Sequence, residues 1–527
     1  MANRRPVWMI LCYVLALVGL GVYLASRIPG ITNYPFTISW SESGRIFNAY
    51  QIYAPLLTGQ HLAWPWLDPG RSILDGLVLL LPATQIWMER FWIDLLFLLG
   101  AFVTSLVIVK KAFSFSPLRN EKAAGRLVWL LVLWGMFFLL QGPVYYHVLL
   151  GVFAIPLFHD PKKPWLTLVL VVIGSIWEGL CRVNWFIMPA CVAILLYLLT
   201  EPFAEPFSGK NVWRYLRWPL VTLVAGGLAS LGSYLIFIKT AGYVVPFLDP
   251  RMHYAYFLYK LWPNAGFIGL LPGIILICLP VVCVVLYAIW KYKAQLHWLR
   301  WSGIAGMLAL FFAGSTLVSL RAGGGYDYHN YDSLLLLLFM CACFFGLQAV
   351  SQDKPVHFEK AILANYAVLF GLMAVSILFA YHPVLPTPSS TMDQSAAAIQ
   401  QMDVLINKYD RPDHPVLFID ERQLLVYQMI SKTQIFAPYD KIELMEMAMA
   451  RNSGYSQKFS ADIHSQKFSL IVSEVLPKWL KPYEKNKFDR DWYENNVWVN
   501  VVSTPVLANY TAIYINQDLG FAIYAPK

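Results

Sequence analysis

Long apolar runs separated by short polar segments fill the first 381 residues of this 527-residue chain. A run of about 18 or more apolar residues is long enough to cross a bilayer as a helix, whereas a β-barrel shows ~10-residue alternating segments. The pattern therefore predicts a polytopic α-helical membrane protein. Its eleven predicted spans are 7–28, 91–109, 127–141, 147–158, 165–181, 184–200, 218–238, 267–290, 301–320, 332–350 and 361–381.

Lysine and arginine residues are unevenly distributed between the two sets of loops. Those on one side include Arg4, Arg5, Lys110 and Lys111, while the other side carries few. Because positive residues are enriched in cytoplasmic loops, this bias predicts a cytoplasmic N-terminus. With an odd number of spans, the C-terminus is then extracytoplasmic, in a multi-pass protein of the cell (plasma or inner) membrane.

The stretch 72–88 is apolar but contains Asp75 and is followed by Glu89 and Arg90. Counting it as a span would invert every later loop and place Lys110 and Lys111 outside. We therefore interpret it as interfacial or re-entrant, so that the first external loop covers 29–90. Apolar residues at near-helical spacing in 46–57 predict a helix on the membrane surface within that loop.

The chain changes character after Tyr381. A proline-rich linker, 382–388, precedes a segment with charges of both signs, which predicts a small extracytoplasmic α/β domain over 389–527. The module before the linker is 1–381. In the domain we expect helices at 389–408 and 440–451 and strands at 416–419, 468–472, 511–515 and 521–524.

Composition supports the membrane class and excludes a nucleic-acid partner. Hydrophobic residues make up 58% and charged residues 13% of the chain, against about a quarter charged in soluble domains. The formal charge of +9 lies largely in short loops between spans, where it sets orientation. The seven cysteines lie in or beside apolar spans and predict no disulfide in the C-terminal domain.

Four polar clusters interrupt the apolar sequence on the predicted outer face: 39–45 with Glu42 and Arg45, 177–185, 239–266 and 321–332. A carboxylate at such a place can accept a proton from a hydroxyl, and basic residues can hold a phosphate. Glycines at 323–325 expose backbone N–H groups that favour anions. Aromatic faces at Trp40, Tyr326 and Tyr331 suit sugar rings. Together the clusters predict a site at the outer membrane boundary.

Each cluster also has a simpler interpretation. Glu42 suits the N-terminus of a helix, and the arginines at 182 and 321 suit interfacial anchors whose charged ends reach water. Asp327, His329 and Asp332 have spacing that suits a divalent cation, but such residues in a polar turn are more often simply solvated. Metal binding and solvation both stay open, and we assign no cofactor.

Taken together, the clusters resemble the GT-C superfamily, polytopic glycosyltransferases that use lipid-phosphate-linked sugars, in the bacterial branch of protein O-mannosyltransferases and aminoarabinose transferases. The resemblance rests on Glu42 just after the first span, surface helices in the same loop, about eleven spans, a glycine-rich loop at 323–332 and an external α/β domain. Many relatives have an Asp or an acid pair where Glu42 stands alone between serines, so a metal held by such a pair is not implied.

The resemblance implies transfer of a sugar, with inversion, from a polyprenyl-phosphate donor to a glycan, lipid or protein acceptor, and Glu42 as general base. Implied ligands of the donor phosphate are Arg45, Arg182, Arg251, Lys260 and Arg321. Residues expected to bind the sugar or the acceptor are Trp40, His253, Tyr326, His329, Asn330 and Asp332. The C-terminal domain would help to bind the acceptor.

Three other functions fit parts of the pattern. A transporter or flippase of a lipid-linked saccharide would more often show internal repeats and ionisable residues at span centres. A non-catalytic scaffold with the same architecture is consistent with the single acid. An O-antigen polymerase or ligase usually carries its key residues in a large late loop.

The predicted orientation is testable by labelling. Single cysteines introduced in 29–90 or 321–331 should react with a membrane-impermeant thiol reagent added from the outer side, because both segments are predicted to face outward. Cysteines at 110 or 111 should react only after the membrane is permeabilised. Labelling of the first external loop from the cytosolic side alone would overturn the orientation.

Overall fold

The computed structural model describes the chain except residues 1–4, 121–123, 142–143, 204–206, 242–255, 264–267, 293–294, 322–327, 354–360, 382–383, 385–388, 410, 431–434 and 483–491. Of the predicted linker, only Val384 is described. Two parts follow one another along the chain, a large helical bundle and a smaller α/β domain.

Apolar helices form the bundle at the positions that hydropathy indicated. Among the described residues, eight are long and apolar enough to cross a bilayer, at Val7–Gly30, Ile86–Phe115, Pro164–Cys181, Val183–Thr200, Gly209–Ala241, Leu270–Tyr292, Trp298–Leu320 and His329–Gly346. Three shorter apolar helices occupy Ala124–Leu140, Tyr146–Phe158 and Tyr366–Ala380. The prediction of a polytopic α-helical membrane protein is confirmed.

The helices of this part are α1 (Arg5–Arg27), α2 (Glu42–Leu57), α3 (Pro69–Asp75), α4 (Ile86–Phe115), α5 (Ala124–Leu140), α6 (Tyr146–Val152), α7 (Ala154–Phe158), α8 (Pro164–Cys181), α9 (Met188–Thr200), α10 (Gly209–Ala241), α11 (Leu270–Tyr292), α12 (Trp298–Leu320), α13 (Asp332–Gly346) and α14 (Tyr366–Ala380). Every residue of α13 is buried. Its sequence is apolar on all sides after Asp332, as expected of a helix enclosed by others, and it packs against α4, α5, α9, α11 and α12.

The first external loop contains no helix long enough to cross a bilayer. The surface helix predicted for 46–57 is α2. The ambiguous stretch 72–88 is broken into the end of α3, a 3-10 turn at Gly76–Leu80 and the start of α4. Gly70 brings α3 against the end of α8, because a Cβ there would lie 2.7 Å from the Cys181 sulfur. This close packing fixes the loop on the bundle.

The C-terminal part is an α/β domain built on a four-stranded mixed sheet with strand order β1-β2-β4-β3. Its strands are β1 (Val416–Phe418), β2 (Leu470–Glu474), β3 (Tyr510–Asn516) and β4 (Phe521–Pro526), of which β1 and β2 are parallel and the other pairs antiparallel. Its helices are α15 (Ser389–Tyr409), α16 (Gln423–Val426), α17 (Lys441–Met449), α18 (Ser453–His464), α19 (Trp492–Trp498) and α20 (Thr504–Asn509). The strand predicted at 468–472 is shifted by two residues, since it pairs from Leu470 onward.

The first external loop supplies part of the core of this domain. Tyr34 and Phe36 are buried in the cluster formed by α15 and one face of the sheet. The ring of Phe36 stacks on Phe521 of β4, with 4.9 Å between centroids and 16° between planes. These two rings of the loop complete the apolar core of the C-terminal domain. Burial of apolar surface therefore holds the loop and the domain together.

Gly135 of α5 provides a test of the packing around α13. A Cβ at this position would lie 2.2 Å from the Phe339 ring and 2.8 Å from the Ser105 hydroxyl. Gly135→Val should therefore lower the unfolding temperature in detergent, since overpacking a core costs about 1–3 kcal/mol.

The matched control is Gly371→Val in α14, where nothing lies within 4 Å of the added Cβ. It should unfold close to the wild-type temperature. Equal effects of the two substitutions would contradict the described packing of α5 on α13.

Candidate functional site

A cavity of about 840 Å³ lies between the bundle and the C-terminal domain. The first external loop, the end of α8, the C-terminal parts of α10 and α12 and the turn before α13 form its walls on the membrane side. Side chains of α17, β2 and α19 close it on the domain side. This volume lies in the range of small-molecule sites. On the predicted orientation it opens at the outer membrane boundary.

Tyr145 brings two arginines together in the cavity wall. The guanidinium carbon of Arg71 lies 5.1 Å and that of Arg182 5.8 Å from the centre of the Tyr145 ring. His329 packs edge-on against the same ring at 5.7 Å. Arg71 is neutralised by Asp68 at 2.9 Å. Arg182 donates to the Asn330 side-chain oxygen at 3.0 Å and has no carboxylate partner among the described residues.

Arg45 is a cation of the site whose guanidinium is left without a hydrogen bond to the described residues, although Glu89 and Asp94 lie close enough to interact with its charge. Its guanidinium has no hydrogen-bond or ion-pair partner among the described residues, and its Nε is buried. It lines the large cavity and also a smaller one of about 180 Å³. A half-buried cation without an internal partner favours an anionic ligand, because an unpaired charge away from water is unfavourable.

The smaller cavity lies between α1, α2 and the start of α4, and it shares Arg45 and Asp75 with the large cavity. Glu42 is part of its wall but does not line the large cavity. Glu89 and Asp94 of α4 also line it, and Asp94 is paired with Arg27 of α1 at 2.6 Å. The first external loop thus presents several carboxylates around a small space.

Glu42 is buried and paired with Arg90. Arg90 Nε donates to Glu42 Oε1 at 2.8 Å, and Arg90 Nη2 donates to Oε2 at 3.2 Å. The backbone N–H of Ile38 also donates to Oε2, at 2.7 Å. Oε1 therefore accepts one hydrogen bond and Oε2 accepts two. A carboxylate oxygen can accept two, so Oε1 keeps one acceptor position.

Asp68 lies at the N-terminus of α3 and lines the large cavity. Burial raises the pKa of its carboxyl, although the neighbouring Arg71 opposes this effect. Its backbone is left-handed, with φ 51°. This conformation is uncommon outside glycine but is tolerated by Asp and Asn.

The structure brings together five of the residues predicted from sequence, since Trp40, Arg45, Arg182, Arg321 and His329 all line the large cavity. Arg321 lies 4.0 Å from Glu446 of α17. The Trp40 ring is half exposed and lies 6.0 Å from the Lys441 amino group.

Three other predicted residues lie behind the wall. The buried Lys260 amino group donates to the Arg321 backbone carbonyl at 3.0 Å. Asn330 holds Arg182, and the buried Asp332 accepts from the Trp185 indole at 2.7 Å. Arg251, His253 and Tyr326 lie outside the described residues.

Several wall residues were not predicted from sequence, notably Arg71, Asp75, Arg90 and Tyr145. Arg71 and Asp75 lie in the short helix α3, whose seven residues give no clear periodicity. Arg90 was visible only as one of the few basic residues on the outer side. The run Tyr145-Tyr146-His147 at the start of α6 was a polar interruption between two short apolar helices, and that signal could have identified Tyr145.

Within the part of the chain that the structure describes, no three His, Cys, Asp or Glu residues are grouped to hold a metal ion. Asp327, one of the three residues considered for a cation, lies outside that part. The described geometry therefore identifies no metal ligands.

The C-terminal domain contacts the loop beside Glu42 through a second polar network. Glu421 accepts from the Thr37 backbone N–H and the Thr37 hydroxyl, each at 3.1 Å. The backbone N–H of Arg422 donates to the Ser43 hydroxyl at 2.8 Å. The Tyr427 hydroxyl donates to Glu89 at 2.7 Å. Residues on both sides of Glu42 are therefore held by the domain.

No family model matches the chain, and the comparison with curated proteins found no match. Among solved structures, the chain is similar to ArnT from Cupriavidus metallidurans in the apo state, with TM-score 0.42, 11% identity, and 98% of this chain and 97% of that chain covered. It is also similar to the arabinofuranosyltransferase AftD from Mycobacteria, with TM-score 0.38 and 14% identity, where 98% of this chain matches 40% of that chain.

Both structures are GT-C glycosyltransferases, the superfamily that the sequence resembles. Both TM-scores are below 0.5.

The buried Glu421 should make the stability of the folded protein depend on pH. Burial, together with the adjacent Asp420, raises its pKa to about 8. The folded protein thus binds this proton more tightly than the unfolded chain, so the stabilisation is complete below about pH 4.3 and is lost as the pH rises toward 8. The unfolding temperature should fall between pH 5 and 8.

Glu421→Gln, which mimics the protonated acid, should reduce this fall. It should not abolish it, because burial also raises the pKa of Glu443 to about 7. The exposed substitution Asp413→Asn should keep the wild-type pH dependence. An identical pH profile in Glu421→Gln and the wild type would contradict the assignment.

Proposed function

We propose that the chain is a glycosyltransferase that moves a sugar from a polyprenyl-phosphate donor to an acceptor hydroxyl at the outer membrane boundary. The observation that carries this proposal is the Arg45 guanidinium, which makes no hydrogen bond or ion pair with the described residues, lies in the walls of both cavities and is one helical turn from Glu42. The site thus offers an anion-binding group and a carboxylate on the same face of α2.

The anion that suits Arg45 is the donor phosphate. Arginine binds phosphate through several parallel N–H donors, and the guanidinium of Arg45 is not engaged by the described residues. Arg182, which also has no carboxylate partner among them, is a second ligand on the other side of the cavity. The surrounding helices are apolar, which suits a phosphate attached to a lipid.

Glu42 is the proposed general base. Its Oε1 keeps one acceptor position, and it faces the smaller cavity beside Arg45. Arg90 and the Ile38 N–H fix the other acceptor positions, so the carboxylate is held in one orientation. A positioned base of this kind contributes about 10²–10⁴-fold to the rate.

The proposed reaction is a single displacement at the anomeric carbon. The acceptor hydroxyl gives its proton to Glu42 while its oxygen forms a bond to the anomeric carbon. The bond between that carbon and the phosphate oxygen breaks, and the lipid phosphate leaves with the electron pair, stabilised by Arg45. Attack opposite the leaving group inverts the configuration, and no covalent enzyme intermediate is needed.

The large cavity adjoins the smaller one at Arg45 and Asp75, and it suits the sugar ring and the body of an acceptor whose hydroxyl reaches Glu42 in the smaller cavity. Trp40 and Trp66 are among its lining residues, and aromatic rings can bind apolar faces of sugars while leaving the sugar hydroxyls accessible to polar groups. Its outer wall is formed by the C-terminal domain, with Glu446, Glu474 and Asn495. We therefore assign acceptor contacts to the domain.

Glu42→Gln tests the proposed base. Release of free polyprenyl phosphate and transfer of labelled sugar should fall at least ~100-fold, while donor binding through Arg45 is retained. The unfolding temperature should also fall, because the substitution leaves the buried Arg90 without its carboxylate. The assay is incubation of the purified protein with a panel of polyprenyl-phosphate sugars.

Asp393→Asn, an exposed position on α15 that lines neither cavity, is the control and should transfer at the wild-type rate. Wild-type transfer by folded Glu42→Gln would remove Glu42 as base. Donor binding without transfer by the wild type would favour a scaffold or a transporter instead.

A further inference from the structure

We propose that Asp75 binds hydroxyl groups of the donor sugar and determines which sugar the site accepts. This inference rests on the proposed function. Asp75 is placed in the walls of both cavities, together with Arg45. It lies at the C-terminus of α3, in the stretch whose sequence gave no indication of a site.

One oxygen of Asp75 is fully engaged and the other is not. Oδ1 accepts from the Tyr146 hydroxyl at 2.5 Å and from His147 Nε2 at 3.1 Å. Since a carboxylate can only accept, His147 carries its proton on Nε2. Oδ2 has no hydrogen-bond partner among the described residues, and it is not one of the enclosed side-chain oxygens that lack a partner. It is therefore the atom that faces the cavities.

The backbone that carries Asp75 is fixed on several sides. The Ile73 carbonyl accepts from the Tyr53 hydroxyl at 2.8 Å, and the Leu74 carbonyl accepts from the Trp92 indole at 3.1 Å. Gly76 lies against the Tyr53 ring, where a Cβ would be 2.7 Å from a ring carbon. A carboxylate fixed both at its backbone and at Oδ1 presents Oδ2 in a single direction, which suits specific recognition.

Because Oδ2 of Asp75 is negatively charged and only accepts hydrogen bonds, it can bind only some of the groups present in the proposed reaction. A carboxylate repels the donor phosphate, which is instead attracted to Arg45. Sugar hydroxyls are donors that pair with a carboxylate. Arg45 and Asp75 line the same two cavities, so a sugar whose phosphate is bound at Arg45 lies next to Asp75.

Asp75→Asn tests the inference, since Asn keeps an Oδ1 acceptor for Tyr146 and His147 but replaces Oδ2 by an NH₂ donor. The measurement is the dissociation constant of the full-length protein in detergent for a polyprenyl phosphate alone and for the same lipid phosphate linked to each of several pentoses and hexoses. The wild type should bind at least one sugar-linked lipid more tightly than the bare lipid phosphate. Asp75→Asn should reduce this gain ~10- to 100-fold, the effect of a hydrogen bond to a charged group, while its affinity for the bare lipid phosphate stays within about threefold. Arg45→Ala should instead weaken the binding of both lipids.

Tyr146→Phe is the second variant and covers the case in which Asp75→Asn does not fold. It removes one hydrogen bond to Oδ1, so Tyr146 acts as a positioning residue, and the sugar-dependent gain should fall ~3- to 10-fold. An unchanged gain in folded Asp75→Asn, or in Tyr146→Phe if only that variant folds, overturns the role of Asp75 and leaves the proposed function standing. A wild type that binds no sugar-linked lipid more tightly than the bare phosphate overturns both.

Discussion

The buried ion pair between Arg90 and Glu42 organises the face of the bundle that meets the C-terminal domain. Arg90 lies near the start of α4, and its five N–H donors are all used, by Glu42 and by the backbone carbonyls of Thr32, Tyr34 and Phe36. The segment that follows α1 is therefore held around the Arg90 guanidinium. Removing one partner of such a buried pair typically costs about 3–5 kcal/mol. Because the aromatic rings of Tyr34 and Phe36 complete the core of the C-terminal domain, the same pair also determines where that domain can sit.

The arginines around the two cavities differ in whether a carboxylate pairs with them. Arg90 is saturated, Arg27 is paired with Asp94, and Arg71 is paired with Asp68. In contrast, Arg45 has no partner among the described residues, although it emerges from the same loop and its Nε is buried. A fold that pairs Arg27, Arg71 and Arg90 this closely gains nothing structural from leaving the Arg45 guanidinium without a hydrogen bond to the part of the chain that the structure describes. The unused guanidinium of Arg45, not the presence of basic residues as such, supports a site for a ligand that brings negative charge.

Local sequence pattern predicted the helices of the bundle and most elements of the C-terminal domain, because each depends on periodicity within its own segment. It also identified Glu42 and Arg45, since ionisable residues next to a membrane span are conspicuous. The alternative that Glu42 only caps a helix is not what the structure shows, because its carboxylate binds Arg90 and Ile38, which lies outside α2. The hydrogen-bond partners of the site carboxylates could not be predicted from the sequence. Arg90 lies 48 residues from Glu42, and His147 lies 72 residues from Asp75, so both pairings depend on how distant helices pack. The expectation that Lys260, Asn330 and Asp332 bind the donor or the acceptor stays a prediction. Their position behind the cavity wall has the same origin, because hydropathy does not tell which side of a polar turn faces a cavity.

The C-terminal domain cannot be regarded as a separate acceptor-binding module. It holds Thr37 and Ser43 on either side of Glu42 through Glu421 and Arg422, and its Tyr427 reaches Glu89 in the wall of the smaller cavity. Docking of the domain and assembly of the site are therefore one equilibrium. A ligand that binds the assembled site stabilises the docked domain by mass action, and anything that loosens the domain lowers the apparent affinity of the site by the same linkage. Donor binding at Arg45 and Asp75 and acceptor binding at the domain wall are consequently expected to be coupled even where the two ligands do not touch, because both require the loop to be held between the bundle and the sheet.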